Sequence, residues 1–402
     1  MKSALNFLVA AREREIGELE QLTQTSELVS LVGRLIHALQ KERGLSNVFL
    51  ASHGRRFAEP RERQMAECDE LALQVHARFD SLDTGVHGPR NGSRLFGRIA
   101  EVLHGLDGLP ALRRRIAAQE LRAEESTAAF VGLIAGLLAV VFEAADSATD
   151  PQITRELVAM FNFMQGKEFA GQERALGAMV FAVGHAQRRE QWQHLIESQE
   201  RCFQVFAGFS DPAASEVWQR QQQDPRLAEL ERLRRLGGSA RAGAALDSNL
   251  SQDWYDCCTH RIDAMREVED VLAANLRGLC ERRIAQTRAE LHDQQAILGS
   301  LERPAGRPAP MGPQLERSIP ELLHEQSRRL QTMSDELDTA RAALNERKVV
   351  ERAKGLLMAT RRLSEDAAYK MLRETAMNQH RRLVDVAERV IEARDLLMHP
   401  KA

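Results

Sequence analysis

From Leu19 to Leu397, apolar residues recur at spacings of three and four, and aromatic or β-branched residues never alternate for long. A period near 3.6 marks helices with one buried face, whereas strands need a period of two. The chain is therefore predicted to be all-α. Five of its twelve prolines (Pro304, Pro308, Pro310, Pro313 and Pro320) crowd the stretch ERPAGRPAPMGPQLERSIP. Proline lacks the amide hydrogen of the helical ladder and clashes with the preceding turn, so this stretch is not expected to hold a helix. Residues 303–320 read as a linker between a unit over 1–302 and a second over 321–402. Weaker breaks at Asp83–Ser93, Asp146–Pro151, Ser210–Pro212 and Leu236–Gly243 cut the first unit into pieces the size of helical hairpins.

Two departures from the pattern carry chemistry. Over residues 28–52, Leu28, Val32, Leu35, Leu39 and Leu50 form one stripe, and Arg43 falls in it where an apolar side chain is due. Over 253–272, Trp254, Cys258, Met265, Val268 and Leu272 share a face with Arg261 at its centre. A guanidinium buried without an anion is strongly disfavoured. One solution is a small oxyanion gripped by paired N–H donors from both helices. The other is an internal carboxylate, or a packed stem whose head reaches water. Arg174 shares a basic side with Lys167, away from the stripe of Phe161, Leu176, Met179 and Val183, so periodicity gives it no core position.

Here the residues resemble a known family. LIHALQKERGLSNVFLAS (35–52) and QGKEFAGQERALGAMVFAVG (165–184) resemble the two signatures of the NIT domain, a nitrate- and nitrite-sensing module, and WYDCCTHRIDAMREVE (254–269) resembles its closing helix. The resemblance implies two stacked four-helix bundles that bind nitrate or nitrite at their junction through arginines, matched here by Arg43, Arg174 and Arg261. Which arginine completes the site stays open, with Arg234, Arg235 and Arg241 nearby in sequence.

Beyond the linker, Leu323, Leu330, Met333, Leu337, Ala340 and Leu344 follow heptad spacing with Gln326 as the polar seam position, which predicts a short coiled coil and a homodimer. Arg341 to Arg382 holds eleven Lys or Arg against five acids, a local excess of six in a chain of net charge −3. Such an excess is the footprint of a polyanion site or simply a solvated face. Ser364 is the expected N-cap of a helix on which Ala368, Leu372 and Ala376 form a close-packing seam. The segment LNERKVVERAKGLLMATRRLSEDAAYKMLRETAMNQHRRLVDVAERVI (344–391) resembles an ANTAR domain. That resemblance implies a three-helix module that grips paired hairpins in leader RNA and prevents a terminator from forming. Its RNA face would comprise Arg352, Lys354, Gly355, Arg361, Tyr369, Arg373 and Asn378. Basic side chains would hold phosphates, Gly355 would admit close approach, and Tyr369 or Asn378 would meet loop bases.

Composition excludes more than it selects. The hydrophobic share of 43% and charged share of 28% are those of a soluble globular chain. The fifteen uncharged residues Ala128–Phe142 fall short of the ~18–20 that a membrane span needs and are expected to form a core helix. Five cysteines without zinc-like spacing, and no secretory signal at the start, point to a reducing cytoplasm and to no metal. No catalytic pairing is visible, so neither an enzyme nor a cofactor is expected beyond nitrate or nitrite as regulatory ligand. The order of the two units resembles the nitrate-responsive antiterminators of nitrate assimilation operons. A DNA-binding helical regulator and a helical scaffold are the alternatives.

Overall fold

In the computed structural model, residues 4–82, 92–183, 189–239, 248–302, 312–361, 363 and 365–398 are described. Among them are twelve helices and no strand, which is the all-α class read from the pattern. The helices are α1 (Ala4–Ala51), α2 (Ala58–Asp80), α3 (Gly92–Ala117), α4 (Ala123–Ser147), α5 (Pro151–Val183), α6 (Arg189–Phe209), α7 (Pro212–Gln221), α8 (Arg226–Ser239), α9 (Ser248–Glu302), α10 (Gly312–Arg361), α11 (Glu365–Asn378) and α12 (Leu383–Met398).

The breaks have local causes. Asp150 accepts from the amides of Gln152 and Ile153 at 3.0 and 3.1 Å, and Asp211 accepts from that of Ala214 at 2.8 Å. Each carboxylate thereby satisfies orphan donors of a helix whose first residue is proline, the position where a missing N–H costs nothing. The proline-rich segment behaves differently from expectation. α10 already begins at Gly312, so Pro313 sits in a tolerated first turn, and the helix continues through Pro320 with the loss of one ladder bond. Residues 303–311 of the expected linker, the 83–91 part of the first break and the N-cap Ser364 lie outside the described residues.

Two cores stack in the sensor half. The larger draws on α1 to α5, α9 and the ends of α6 and α7, with Val32, Leu35, Leu39, Phe130, Met164, Phe206, Met265 and Leu272 all buried. Each such side chain stabilises the fold by about 1.5–3 kcal/mol. The smaller encloses Leu176, Val180, Phe181, Trp192, Leu195, Leu230, Leu233, Trp254 and Cys258 from α5, α6, α8 and α9. α5 and α9 run through both. α4 spans 25 residues, longer than the run of fifteen suggested, and is apolar enough to cross a membrane. Its Ile134, Leu137, Leu138 and Val141 are nevertheless packed in the larger core, while Ala128, Ala129, Gly132 and Ala135 are exposed.

A third core joins Ala353 and Leu357 of α10, Ala368, Leu372 and Ala376 of α11, and Val386 and Ala387 of α12, so the small-residue seam is core as expected. The heptad helix is committed elsewhere at its end. Ala340 and Leu344 are buried, and Leu344 belongs to the larger sensor core. The side chains of Leu323, Gln326 and Leu330 lie outside the described residues.

Candidate functional site

Between the two sensor cores lies a layer of charge. On α5 the larger core ends at Met164 and Ala170 and the smaller begins at Leu176, and Lys167, Glu168, Glu173 and Arg174 between them are all buried. α1 and α5 come close here because both carry glycine. A Cβ at Gly44 would stand 2.6 Å from Arg174 Nη2 and 2.9 Å from the Tyr255 hydroxyl, and one at Gly171 would overlap Arg43 Nη2. The guanidinium groups of Arg43 and Arg174 thus lie on either side of one glycine-lined contact, and the structure brings these two predicted residues together.

Their surroundings differ. Arg43, 1% exposed as its place in the stripe requires, donates from Nη1 and Nη2 to the two carboxylate oxygens of Glu168, which also accept from Gln40 and Gln172. An internal carboxylate therefore answers the question the stripe raised for Arg43. Arg174 donates to Thr259 Oγ1 at 2.9 Å and to the Gln40 carbonyl at 3.1 Å, with its head 5.0 Å from the Tyr255 ring centre. Periodicity gave it no core position, yet it is 3% exposed, because α5 is surrounded by α1, α4, α6, α9 and α10 and has no outward face here. Arg261 donates from Nη1 to Gln199 Oε1 at 2.9 Å, while its Nε has no hydrogen-bond partner. Burial, then the nearby Arg234, pushes its guanidinium down to about 10.

Not every cation of this layer has a carboxylate. Lys167 pairs with Glu269 at 2.7 Å, and Arg234 pairs with Glu173 at 2.6 Å. Among the described residues, Arg174 and Arg261 have no carboxylate at ion-pair distance, whereas Arg43, Lys167 and Arg234 each have one. His37, one turn before Gln40, registers the cations around it. Burial first, then Lys167, Arg266, Lys41 and Arg174, lowers it to about 2, so it is neutral at physiological pH. Two guanidinium groups without a carboxylate at ion-pair distance, one buried and one half-buried, favour a small anion, and strongly perturbed groups of this kind gather at binding sites. Sequence reasoning missed Lys167, Glu168 and Glu173 of α5 and left Arg234 open. The signal of the three α5 residues was an island of charge inside an otherwise largely apolar helix.

The basic C-terminal unit meets the sensor with the residues expected to meet nucleic acid. Tyr369 is 7% exposed, with the His194 ring 4.5 Å away and the Arg201 guanidinium 5.0 Å from its centre. Lys370 reaches Glu190 at 2.7 Å and Arg373 reaches Glu197 at 2.9 Å, so all four sensor partners, Glu190, His194, Glu197 and Arg201, lie on α6. Along α10, Lys348 pairs with Asp146 at 2.6 Å, Arg347 lies over Phe161 and Arg341 donates to the Ala148 carbonyl at 3.0 Å. Arg352, Gly355, Arg361 and Asn378 are exposed, whereas Lys354 is buried beside Glu351. The expected RNA face is thus split into a part open to solvent and a part laid against the sensor.

The comparisons with known proteins agree with this division. The NIT family model, described as nitrate and nitrite sensing, matches residues 34–277, and the ANTAR domain model matches 338–391. The chain is 33% identical over 402 residues to a nitrate regulatory protein of Klebsiella oxytoca, covering 98% of this chain and 96% of that one. It is similar to a solved structure titled as the NasR transcription antiterminator, with a TM-score of 0.61 and 33% identity over 96% of this chain and 98% of that one.

Proposed function

The chain belongs to the NIT family of nitrate and nitrite sensors and carries an ANTAR domain behind the sensor, and from that premise we propose that it is a nitrate-responsive transcription antiterminator. Nitrate or nitrite binds in the charged layer, held by Arg174 and Arg261 with Arg43 at its side. The ANTAR domain binds paired hairpins in a leader RNA as a homodimer in the cytoplasm, prevents the terminator from forming and activates nitrate and nitrite assimilation genes. The observation that carries the sensor half is that Arg174, buried at the α1–α5 contact, and Arg261, half-buried on α9, have no carboxylate at ion-pair distance among the described residues, because a planar oxyanion supplies the charge and the paired acceptors they lack.

Contacts across the two halves support control by masking. Tyr369 and Arg373, expected to stack a base and hold a phosphate, are engaged by His194 and Glu197 of α6. RNA and sensor compete for the same side chains, so whatever loosens the sensor's hold raises RNA affinity. Moving such an equilibrium from 1:99 to 99:1 needs about 5.5 kcal/mol of differential ligand affinity. A desolvated bidentate anion can supply a large share of that.

The test is binding of a synthetic two-hairpin RNA to the full-length chain at fixed salt, with and without nitrate. Nitrate is expected to tighten binding at least tenfold in the wild type and not in Arg174→Gln. An RNA affinity indifferent to nitrate removes the sensor reading. No RNA binding in either condition, with duplex DNA bound instead, replaces the antiterminator by a DNA-binding regulator.

A further inference from the structure

α6 faces both ways. Trp192 and Gln199 point into the charged layer, where Trp192 Nε1 donates to Glu173 Oε1 at 2.9 Å and Gln199 Nε2 donates to Glu173 Oε2 at 2.7 Å. Gln199 Oε1 accepts from Arg261 Nη1 at 2.9 Å, and Gln199 is 2% exposed. Glu190, His194, Glu197 and Arg201 follow each other at three- and four-residue spacing on the other side and hold Lys370, Tyr369 and Arg373. At about 100° per residue, Glu197 and Gln199 stand roughly 200° apart. A single turn of one helix therefore touches both the candidate anion layer and the RNA-binding domain.

We propose that Gln199 is the positioning residue that couples the anion layer to the RNA-binding domain, acting through α6. This rests on the nitrate-sensor reading above. An oxyanion taken up by Arg261 competes for the Nη1–H that Gln199 Oε1 now accepts. That oxygen has one other donor among the described residues, Arg234 Nη2 at a long 3.5 Å, so losing the Arg261 bond is penalised until the Arg234 contact tightens, and Gln199 is also tied through its Nε2 to Glu173. Relief comes from a turn or shift of the helix that carries it. The same movement carries Glu197, His194 and Arg201 away from their positions against Arg373 and Tyr369. Gln199 touches neither RNA nor the RNA-binding domain, so its effect on RNA affinity has to pass through the helix.

The test uses the full-length chain with Gln199→Leu, sodium nitrate and a synthetic two-hairpin RNA, with the thermal midpoint as a check of folding. Calorimetric titration reads nitrate binding, and fluorescence anisotropy reads RNA affinity with and without nitrate. The expected result is a variant that still binds nitrate but whose nitrate-induced gain in RNA affinity falls from at least tenfold to less than twofold. A variant with the full wild-type gain overturns the proposal, and so does one that no longer binds nitrate, because Gln199 would then belong to the binding set. Hydrogen exchange on the unaltered chain gives an independent reading. Nitrate is expected to change the protection of residues 190–201, and unchanged protection there overturns the proposal even where the variant fails to fold. A wild-type chain whose RNA affinity ignores nitrate overturns the sensor reading instead, and the coupling with it.

Discussion

Arg43 and Arg174 sit on the two sides of one contact but pose opposite problems to the fold. Arg43 has its carboxylate, so Arg43→Ala leaves Glu168 buried with only Gln40 and Gln172 as donors. Breaking a buried pair from one side costs about 3–5 kcal/mol. The double variant Arg43→Met with Glu168→Met is expected to recover most of that stability in urea unfolding, since an apolar pair of similar volume is close to neutral. Its nitrate response is expected to stay lost, which separates the binding role of Arg43 from its structural one. His37 gives a pH signature of the same layer. Its folded pKa, lowered by burial and by Lys167, Arg266, Lys41 and Arg174 to about 2, lies below the ordinary 6.5. Below pH 6.5 the unfolded chain takes up a proton that the folded one refuses, so stability falls as pH falls, by up to about 1.4 kcal/mol per unit. Urea unfolding at pH 7 and pH 5 is expected to show a drop smaller by about 2 kcal/mol in His37→Gln than in the wild type. Equal drops would remove His37 from the account.

At the scale of elements, the close approach of α1 and α5 sets the geometry of the charged layer in which nitrate is proposed to bind. Gly44→Ala puts a methyl against Arg174 Nη2 and the Tyr255 hydroxyl without changing any charge. Calorimetry is expected to show nitrate affinity reduced at least tenfold with the helical content unchanged, and an unaltered affinity would place the anion elsewhere. How much of this was legible follows from how each helix is covered. On α1 the wheel placed Leu28, Val32, Leu35, Leu39 and the misplaced Arg43 in the interior correctly, but it missed that Val29, Ile36, Ala38 and Gln40 are buried too, Arg34 being the one exposed residue between Leu28 and Leu50. α9 has a buried stripe opposite the exposed Asp253, Asp256, Asp263 and Glu267, so the wheel found Trp254, Cys258 and Met265, with Arg261 half-buried beside them. α5 is enclosed by neighbours on every side, and a periodicity argument has nothing to register there, so Arg174 was given no core position and Glu168 and Glu173 were not seen. Pro320 shows the complementary failure, since one missing ladder bond in a helix of 50 residues is a local loss that the rest of the helix outweighs. On the output side, the seam of Ala368, Leu372 and Ala376 was read as core and is buried as such, because small residues at four-residue spacing let helices pack closely.

For the whole molecule, the proposed function has one set of side chains serve two partners, whose salt dependences can be compared. The sensor holds the RNA-binding domain through pairs that water reaches, with Lys370 and Glu190 at 48% and 77% side-chain exposure and Arg373 and Glu197 at 42% and 21%. Pairs of this kind are individually weak and are screened by added salt, the Debye length shrinking from about 10 Å at 0.1 M to about 3 Å at 1 M. RNA binding by the freed domain is also weakened by salt, through release of counterions from phosphate. The two effects enter differently. Loss of phosphate contacts lowers affinity with and without nitrate alike and cancels in their ratio. Loss of masking pairs raises only the nitrate-free affinity, because it is the masked fraction that nitrate sets free. The nitrate-induced gain in RNA affinity is therefore expected to shrink as potassium chloride rises from 50 to 300 mM, while both absolute affinities fall. Glu197→Lys, which sets a cation against Arg373, is expected to produce at low salt the same small gain through a raised nitrate-free affinity. A gain that stays constant across the salt range, together with a Glu197→Lys chain that is still fully nitrate-dependent, would mean that α6 does not mask the RNA-binding face and that nitrate acts by another route, such as dimerisation.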